Sequence, residues 1–119
     1  MTPDETHYRV LRLLQENPDI SQRELADALE VSVGKTHYLL RGLIEKGFVK
    51  VGNFRRSNNK LGYLYKLTPS GIREKLDVTR RYLARREAEY EAIRTEIESL
   101  RAEMGVLSQG RNVIFREPG

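Results

Sequence analysis

Apolar residues recur along this chain with two different periods, and the change of period divides it. The first stretch has helical spacing. Thr2-Pro3-Asp4-Glu5 is a start signal: Thr2 caps, Pro3 takes the first helical position and Glu5 closes a T-x-x-E box. The predicted helix carries Tyr8, Val10, Leu11, Leu13 and Leu14. It ends at Asn17-Pro18, because the residue before proline avoids helical geometry. Ile20 leads on as a short core contact. Ser21-Gln22-Arg23-Glu24 is a capping box that opens a second helix, from Ser21 to about Ala28, with apolar positions at Leu25, Ala26 and Leu29. A break at Glu30 and Val31 follows. Ser32 then caps a third helix, predicted to run to Lys46 and to stop at Gly47. Leu39, Leu40, Leu43 and Ile44 make its apolar side, with Thr36 one turn earlier. Val33, Gly34, Lys35, His37, Tyr38 and Arg41 are left facing away from the core.

After Gly47 the period shortens. Residues from Phe48 to Phe54 alternate loosely, as a strand does, and Tyr63-Leu64-Tyr65-Lys66-Leu67 forms a second strand. The polar, turn-rich segment between them carries Arg55, Arg56, Asn58, Asn59 and Lys60, which gives a β-hairpin with a basic tip. Thr68 and Pro69 then start the longest element, with no break before Gly105 and a length of about 50 Å. Ile72, Leu76, Thr79, Leu83, Arg86, Tyr90, Ile93, Ile97, Leu100 and Met104 step by fours and threes, a heptad seam interrupted at Thr79 and Arg86. Leu83, Tyr90, Ile93, Ile97, Leu100 and Met104 are the candidate dimerisation residues, most securely from Tyr90 onward. The upstream part has the alternative of packing on its own domain. Glu89 and Glu96 would meet Arg94 and Arg101 of a parallel partner, although Glu91 can also pair with Arg94 within one helix. The expected fold class is mainly α with a small β-hairpin. Residues 1–68 form a winged helix-turn-helix domain, residues 69–104 a long dimerisation helix of coiled-coil type, and residues 105–119 a tail. In the tail, Asn112 to Phe115 reads either as a short docking strand or as flexible chain.

Composition narrows the functions open to such a fold. The chain has 119 residues, no cysteine and no tryptophan. Disulfides, thiolate metal sites and thiol redox sensing are excluded. No apolar run reaches membrane-spanning length and no signal-peptide pattern opens the chain, so a cytoplasmic location without membrane partners is expected. Neither histidine has a ligand partner at metal-binding spacing, and no phosphate or dinucleotide loop occurs. We therefore expect neither an enzyme nor a cofactor or metal site. His7 reads as a partly buried packing residue. Between Ser32 and Lys66, eight lysines and arginines accompany a single acid, Glu45. A block of one sign marks a polyanion partner, whereas a merely solvated face usually mixes signs. A helix with a packed back and a front of Lys, His, Tyr and Arg suits the DNA major groove, although an ordinary amphipathic hairpin shares that pattern. Arg55 and Arg56 at the hairpin tip suit a narrow minor groove, and Lys60 a phosphate. Asn58 and Asn59 either shape the turn or touch DNA.

The run from Leu25 to Arg56 resembles MarR-type winged-helix transcription regulators. The matching elements are Ala26-Asp27-Ala28-Leu29-Glu30-Val31-Ser32, Leu43-Ile44-Glu45-Lys46-Gly47-Phe48-Val49 and, after the wing, Leu67-Thr68-Pro69-Ser70-Gly71. The short chain and long C-terminal helix are most similar to the small subgroup associated with exopolysaccharide gene clusters. The resemblance implies that Ser32, Val33, Gly34 and Lys35 enter the groove, that Lys35, His37, Tyr38 and Arg41 contact DNA, and that Ser21 and Gln22 sit against phosphate. Two chains joined through the long helix would present two recognition helices, so two-fold symmetry predicts a homodimer on a pseudo-palindromic operator, and a bacterial chain, nucleoid-associated when bound, is expected. Two departures are Glu30, where glycine is common, and Val33, where polar residues are frequent. No effector pocket is legible; the junction of winged domain and long helix is where one would be sought. The reading of another class is a winged-helix scaffold for protein interaction, with the coiled coil as its working surface.

Overall fold

A computed structural model describes residues 1–55 and 61–108. Helix α1 spans Pro3–Glu16, α2 Gln22–Leu29 and α3 Val33–Glu45. Strands β1 (Val49–Arg55) and β2 (Leu61–Leu67) follow, then helix α4 (Pro69–Ser108). The fold is the expected one: mainly helical, with a two-stranded antiparallel hairpin and a long last helix.

Local chemistry sets the helix ends. The Thr2 hydroxyl accepts the Glu5 backbone N–H at 3.2 Å. At α2 the capping box is reciprocal: Ser21 Oγ accepts from the Glu24 N–H at 3.0 Å, and the Ser21 N–H donates to Glu24 Oε1 at 3.1 Å. Ser32 Oγ accepts from the Lys35 N–H at 3.0 Å. Helix α3 ends in a Schellman arrangement around Gly47, whose φ of 77° suits a residue without Cβ. The Phe48 N–H reaches the Leu43 carbonyl at 2.9 Å, and the Gly47 N–H reaches that of Ile44 at 3.0 Å.

In the hairpin Val49 pairs with Leu67, Val51 with Tyr65 and Asn53 with Tyr63. Val49, Tyr65 and Leu67 point into the core, while Lys50, Leu64 and Lys66 face outward. The Tyr65 N–H donates to the Pro18 carbonyl at 2.7 Å and ties the hairpin to the α1–α2 turn. The β2 ladder begins at Leu61, two residues before the side-chain pattern indicates, because backbone pairing continues through Gly62. The core joins Val10, Leu11 and Leu14 of α1, Leu25 and Leu29 of α2, Leu40 and Leu43 of α3, and the inward hairpin residues. Each fully buried leucine contributes about 1.5–3 kcal/mol. Buried Thr36 donates its hydroxyl to the Ser32 carbonyl at 3.0 Å, so its oxygen is not left unpaired.

Two compact units make up the chain. The first is Met1–Tyr82, and the second begins at Leu83, within α4. In the first unit the opening turns of α4 close the core. Thr68 Oγ1 accepts from the Gly71 N–H at 3.0 Å and donates to the Gly47 carbonyl at 2.5 Å. Val78 is fully buried. The Tyr82 ring stacks on Tyr8 with centroids 5.1 Å apart, and Arg81 pairs with Asp4 at 3.4 Å. Ile72 and Leu76 are exposed, so the residues that hold α4 to the first unit lie off the heptad seam. In the second unit Leu83, Tyr90, Ile93, Ile97, Leu100 and Met104 are all exposed. Two expectations need correction. Ile44 is 38% exposed and is not a core residue; it lies at the margin of the apolar arc, beyond Leu40. Helix α4 does not stop before Gly105 but runs to Ser108. Glycine ends a helix where it takes a left-handed φ, and Gly105 does not.

Candidate nucleic-acid interface

At about 100° per residue, the buried residues Thr36, Leu40 and Leu43 define the back of α3. Gly34, Tyr38, Arg41 and Glu45 project from the opposite side. Val33 and His37 lie on one flank, and Lys35, Gly42 and Lys46 on the other. Tyr38 is 76% exposed, and Val33, Lys35, His37 and Arg41 are exposed as well. An ideal Cβ at Gly34 would meet only the Ser32 hydroxyl, at 3.9 Å. The helix thus presents a bare backbone step at its N-terminal end, followed by an aromatic ring and a guanidinium. The residues singled out on α3 therefore share one solvent-facing surface.

One pairing on that surface escaped the sequence reading. Arg41 Nε lies 3.1 Å from Glu45 Oε1, in an i,i+4 ion pair that is exposed on both sides. The spacing is the ordinary helical pairing distance and was available as a signal. The pair engages the Arg41 Nε–H and holds the guanidinium toward Glu45, which places a negative charge on an otherwise basic face.

Ser21 and Gln22 sit half-buried at the start of α2. The Ser21 hydroxyl and amide are both engaged by Glu24. Glu30 takes φ 57° and ψ 43°, a left-handed conformation in which its N–H bonds to the carbonyls of Ala26 and Asp27. Glycine would adopt this geometry freely, which explains its frequency in such turns. Arg55 closes β1 opposite Leu61. Its side chain, together with Arg56, Asn58, Asn59 and Lys60, lies outside the described residues.

Behind the front, α1 and α3 flank a groove of about 780 Å³. His7 borders it. Burial pushes the His7 imidazole below its ordinary pKa; Glu74 and Asp4 oppose that shift, while Lys46 and Arg81 reinforce it. His7 Nε2 is buried without a hydrogen-bond partner. Among the described residues, no three His, Cys, Asp or Glu side chains converge as a metal site, and no helix is long and apolar enough to cross a membrane.

A three-helix head with an antiparallel hairpin after its third helix is a winged helix-turn-helix, and residues 3–50 match the family model described as winged helix-turn-helix DNA-binding. Solved structures share the larger arrangement. MepR, a transcription regulator of the Staphylococcus aureus multidrug efflux pump MepA, matches with a TM-score of 0.55 at 18% identity, over 94% of this chain and 81% of that one. The transcriptional regulator SlyA matches with a TM-score of 0.61 at 20% identity, over 87% of this chain and 72% of that one. Streptococcus pneumoniae FabT, solved in complex with DNA, matches with a TM-score of 0.53 at 19% identity, over 92% and 77% of the two chains. MepR and SlyA are MarR-family regulators, so the resemblance read from the sequence is met at the level of the fold. No curated protein matches the chain by sequence.

Proposed function

We propose that this chain is a DNA-binding transcription regulator of the MarR type, a repressor that meets a pseudo-palindromic operator as a homodimer. In this reading α3 enters the major groove. Gly34 lets the backbone approach, Val33 offers methyl groups to thymine, and Lys35, His37, Tyr38 and Arg41 reach base edges and phosphates. Ser21 and Gln22 face phosphate, and Arg55, Arg56 and Lys60 flank the neighbouring minor groove. The observation that carries the reading is the α3 face itself: a fully packed back behind a front on which Tyr38 and Arg41 stand in solvent. The likeness to FabT, crystallised with DNA, supports it.

A second copy is the proposed cover for the apolar α4 seam of the second unit, whose six residues are solvent-facing in the single chain. Ion pairing is a weak guide to the orientation of that pair. Arg94 turns to Glu91 and Glu98 of its own helix, and Arg86 to Glu89. Two-fold symmetry then sets half-sites about 34–36 Å apart. On the sequence resemblance to the small exopolysaccharide-associated subgroup alone, gene clusters of that kind are the proposed target.

The test is selection of bound sequences from random duplexes, followed by affinity measured against salt. A palindromic motif and a steep fall of affinity with salt are expected, because neutralised phosphates release counterions. Absence of DNA retention in dilute buffer, with a dimer present in light scattering, would favour the scaffold reading instead.

A further inference from the structure

We propose that the outer face of the hairpin base, built on Lys50, Lys66 and Leu64, docks an acidic segment of a partner protein. Lys50 and Lys66 stand directly opposite each other in the ladder, and both are exposed. Like charges so placed oppose strand pairing. Nothing nearby in the chain relieves them. No acid occurs between Glu45 and Glu74, and the ion pairs among the described residues of the first unit all lie on its helices. The next outward rung pairs Leu64 with Gly52. An ideal Cβ at Gly52 meets nothing within 4 Å, so Leu64 has no cross-strand cover and is 39% exposed. Folding alone explains neither feature: an acid in place of one lysine would strengthen the ladder, and a polar residue would serve at Leu64. Two cations about 7 Å from an uncovered aliphatic chain match an extended segment whose carboxylates alternate with an aliphatic residue two places on. The carboxylates neutralise the lysines and the aliphatic chain covers Leu64. A phosphate backbone would answer the lysines but not the leucine.

This face is apart from the proposed DNA surface. Five residues separate Lys50 from Arg55 at the far end of β1, about 17 Å of strand. The inner side of the hairpin and the back of α3 share one core, so the outer hairpin face and the α3 front are separate surfaces. A partner docked on the one leaves the other open.

The probe is a synthetic peptide, Glu-Ser-Glu-Ser-Leu-Ser-Glu, with two matched versions: glutamine in place of every glutamate, and serine in place of leucine. NMR on the full chain reads both binding and its place. The peptide should shift the Lys50, Leu64 and Lys66 resonances. The glutamine version should bind at least about fivefold less tightly. Leu64→Ser should remove the preference for the leucine peptide over its serine version. Lys66→Glu puts an acid opposite Lys50. It should raise the thermal midpoint by roughly 2–6 °C and abolish peptide binding, so the loss cannot be put down to unfolding. Equal binding of the glutamate and glutamine peptides, undiminished binding by Lys66→Glu, or no binding at millimolar peptide would overturn the docking face. A DNA duplex is the competitor. The free chain and the duplex-saturated chain should take the peptide equally well; displacement by duplex would assign the two lysines to nucleic acid and overturn the proposal. A chain that takes the peptide but ignores DNA would overturn the regulator reading and leave this face standing.

Discussion

Gly71 lies where the first turn of α4 meets the end of the α3–β1 connection, and Gly71→Ala turns that meeting into a collision. An ideal Cβ at residue 71 falls 2.0 Å from the Phe48 carbonyl oxygen and 2.9 Å from its carbon. Real Cβ atoms essentially never approach below 3.0 Å, so the backbone must open by at least the missing 1.0 Å. The same Phe48 oxygen accepts the Thr68 N–H at 3.0 Å, and an opening of that size carries the bond beyond hydrogen-bonding range. Overpacking costs about 1–3 kcal/mol. The broken bond adds about 0.5–1.5 kcal/mol. Alanine returns roughly 1 kcal/mol through its better helix propensity. The balance is a loss of about 2 kcal/mol, which for a unit of this size lowers Tm by roughly 10 °C. Urea titration and thermal circular dichroism would measure it, with Gly42→Ala as the control. That position is open, so the same substitution should stabilise by about 0.5–1 kcal/mol. A Gly71→Ala chain as stable as its parent, beside a control that gains, would refute the close approach.

Three further outcomes are expected. Glu45→Gln frees Arg41 and removes the one acid from the α3 front, so duplex affinity should rise about two- to fivefold; the gain should be smaller in an Arg41→Ala background, where only the loss of the acid remains, and a gain of undiminished size there would refute the pairing argument. His7 titrates below 6.5 in the folded chain. The unfolded state therefore binds more protons between the lowered pKa and 6.5, and stability should be full above that window and fall as pH drops through it. Urea midpoints between about pH 7 and pH 5 should show the slope and lose it in His7→Leu; an unchanged slope would count against the buried ring. Glu30→Gly relieves a left-handed residue and should raise stability by roughly 1 kcal/mol or less, read by the same titration; a loss of stability would show that the Glu30 side chain matters more than its backbone.

What the sequence revealed was short-range. Thr2, Ser21 with Glu24, Ser32 and Thr68 sit within three residues of the N–H groups they cap, and Gly47 stops the helix it adjoins, so these ends could be read from local pattern alone. The groups on α3 followed from the same 3.6-residue arithmetic. Where packing decides, pattern misled. Ile44 counts as apolar on a helical wheel, yet the arc covered by neighbours stops short of it. Val78 and Tyr82, one turn apart and off the heptad, are among the α4 residues packed into the first unit, while the more regular Ile72 and Leu76 stay in solvent. The groove beside His7 had no sequence signal, since it exists only through the spacing of α1 from α3.

The burial of Val78 and the stacking of Tyr82 on Tyr8 bear on how such chains can be recombined. A fragment trimmed after the second strand would be missing one wall and should be open to proteases. A graft joined at Leu83 would carry the head over entire. Chimeras that exchange binding heads between long-helix relatives should thus succeed with seams inside the last helix and fail with seams at its beginning.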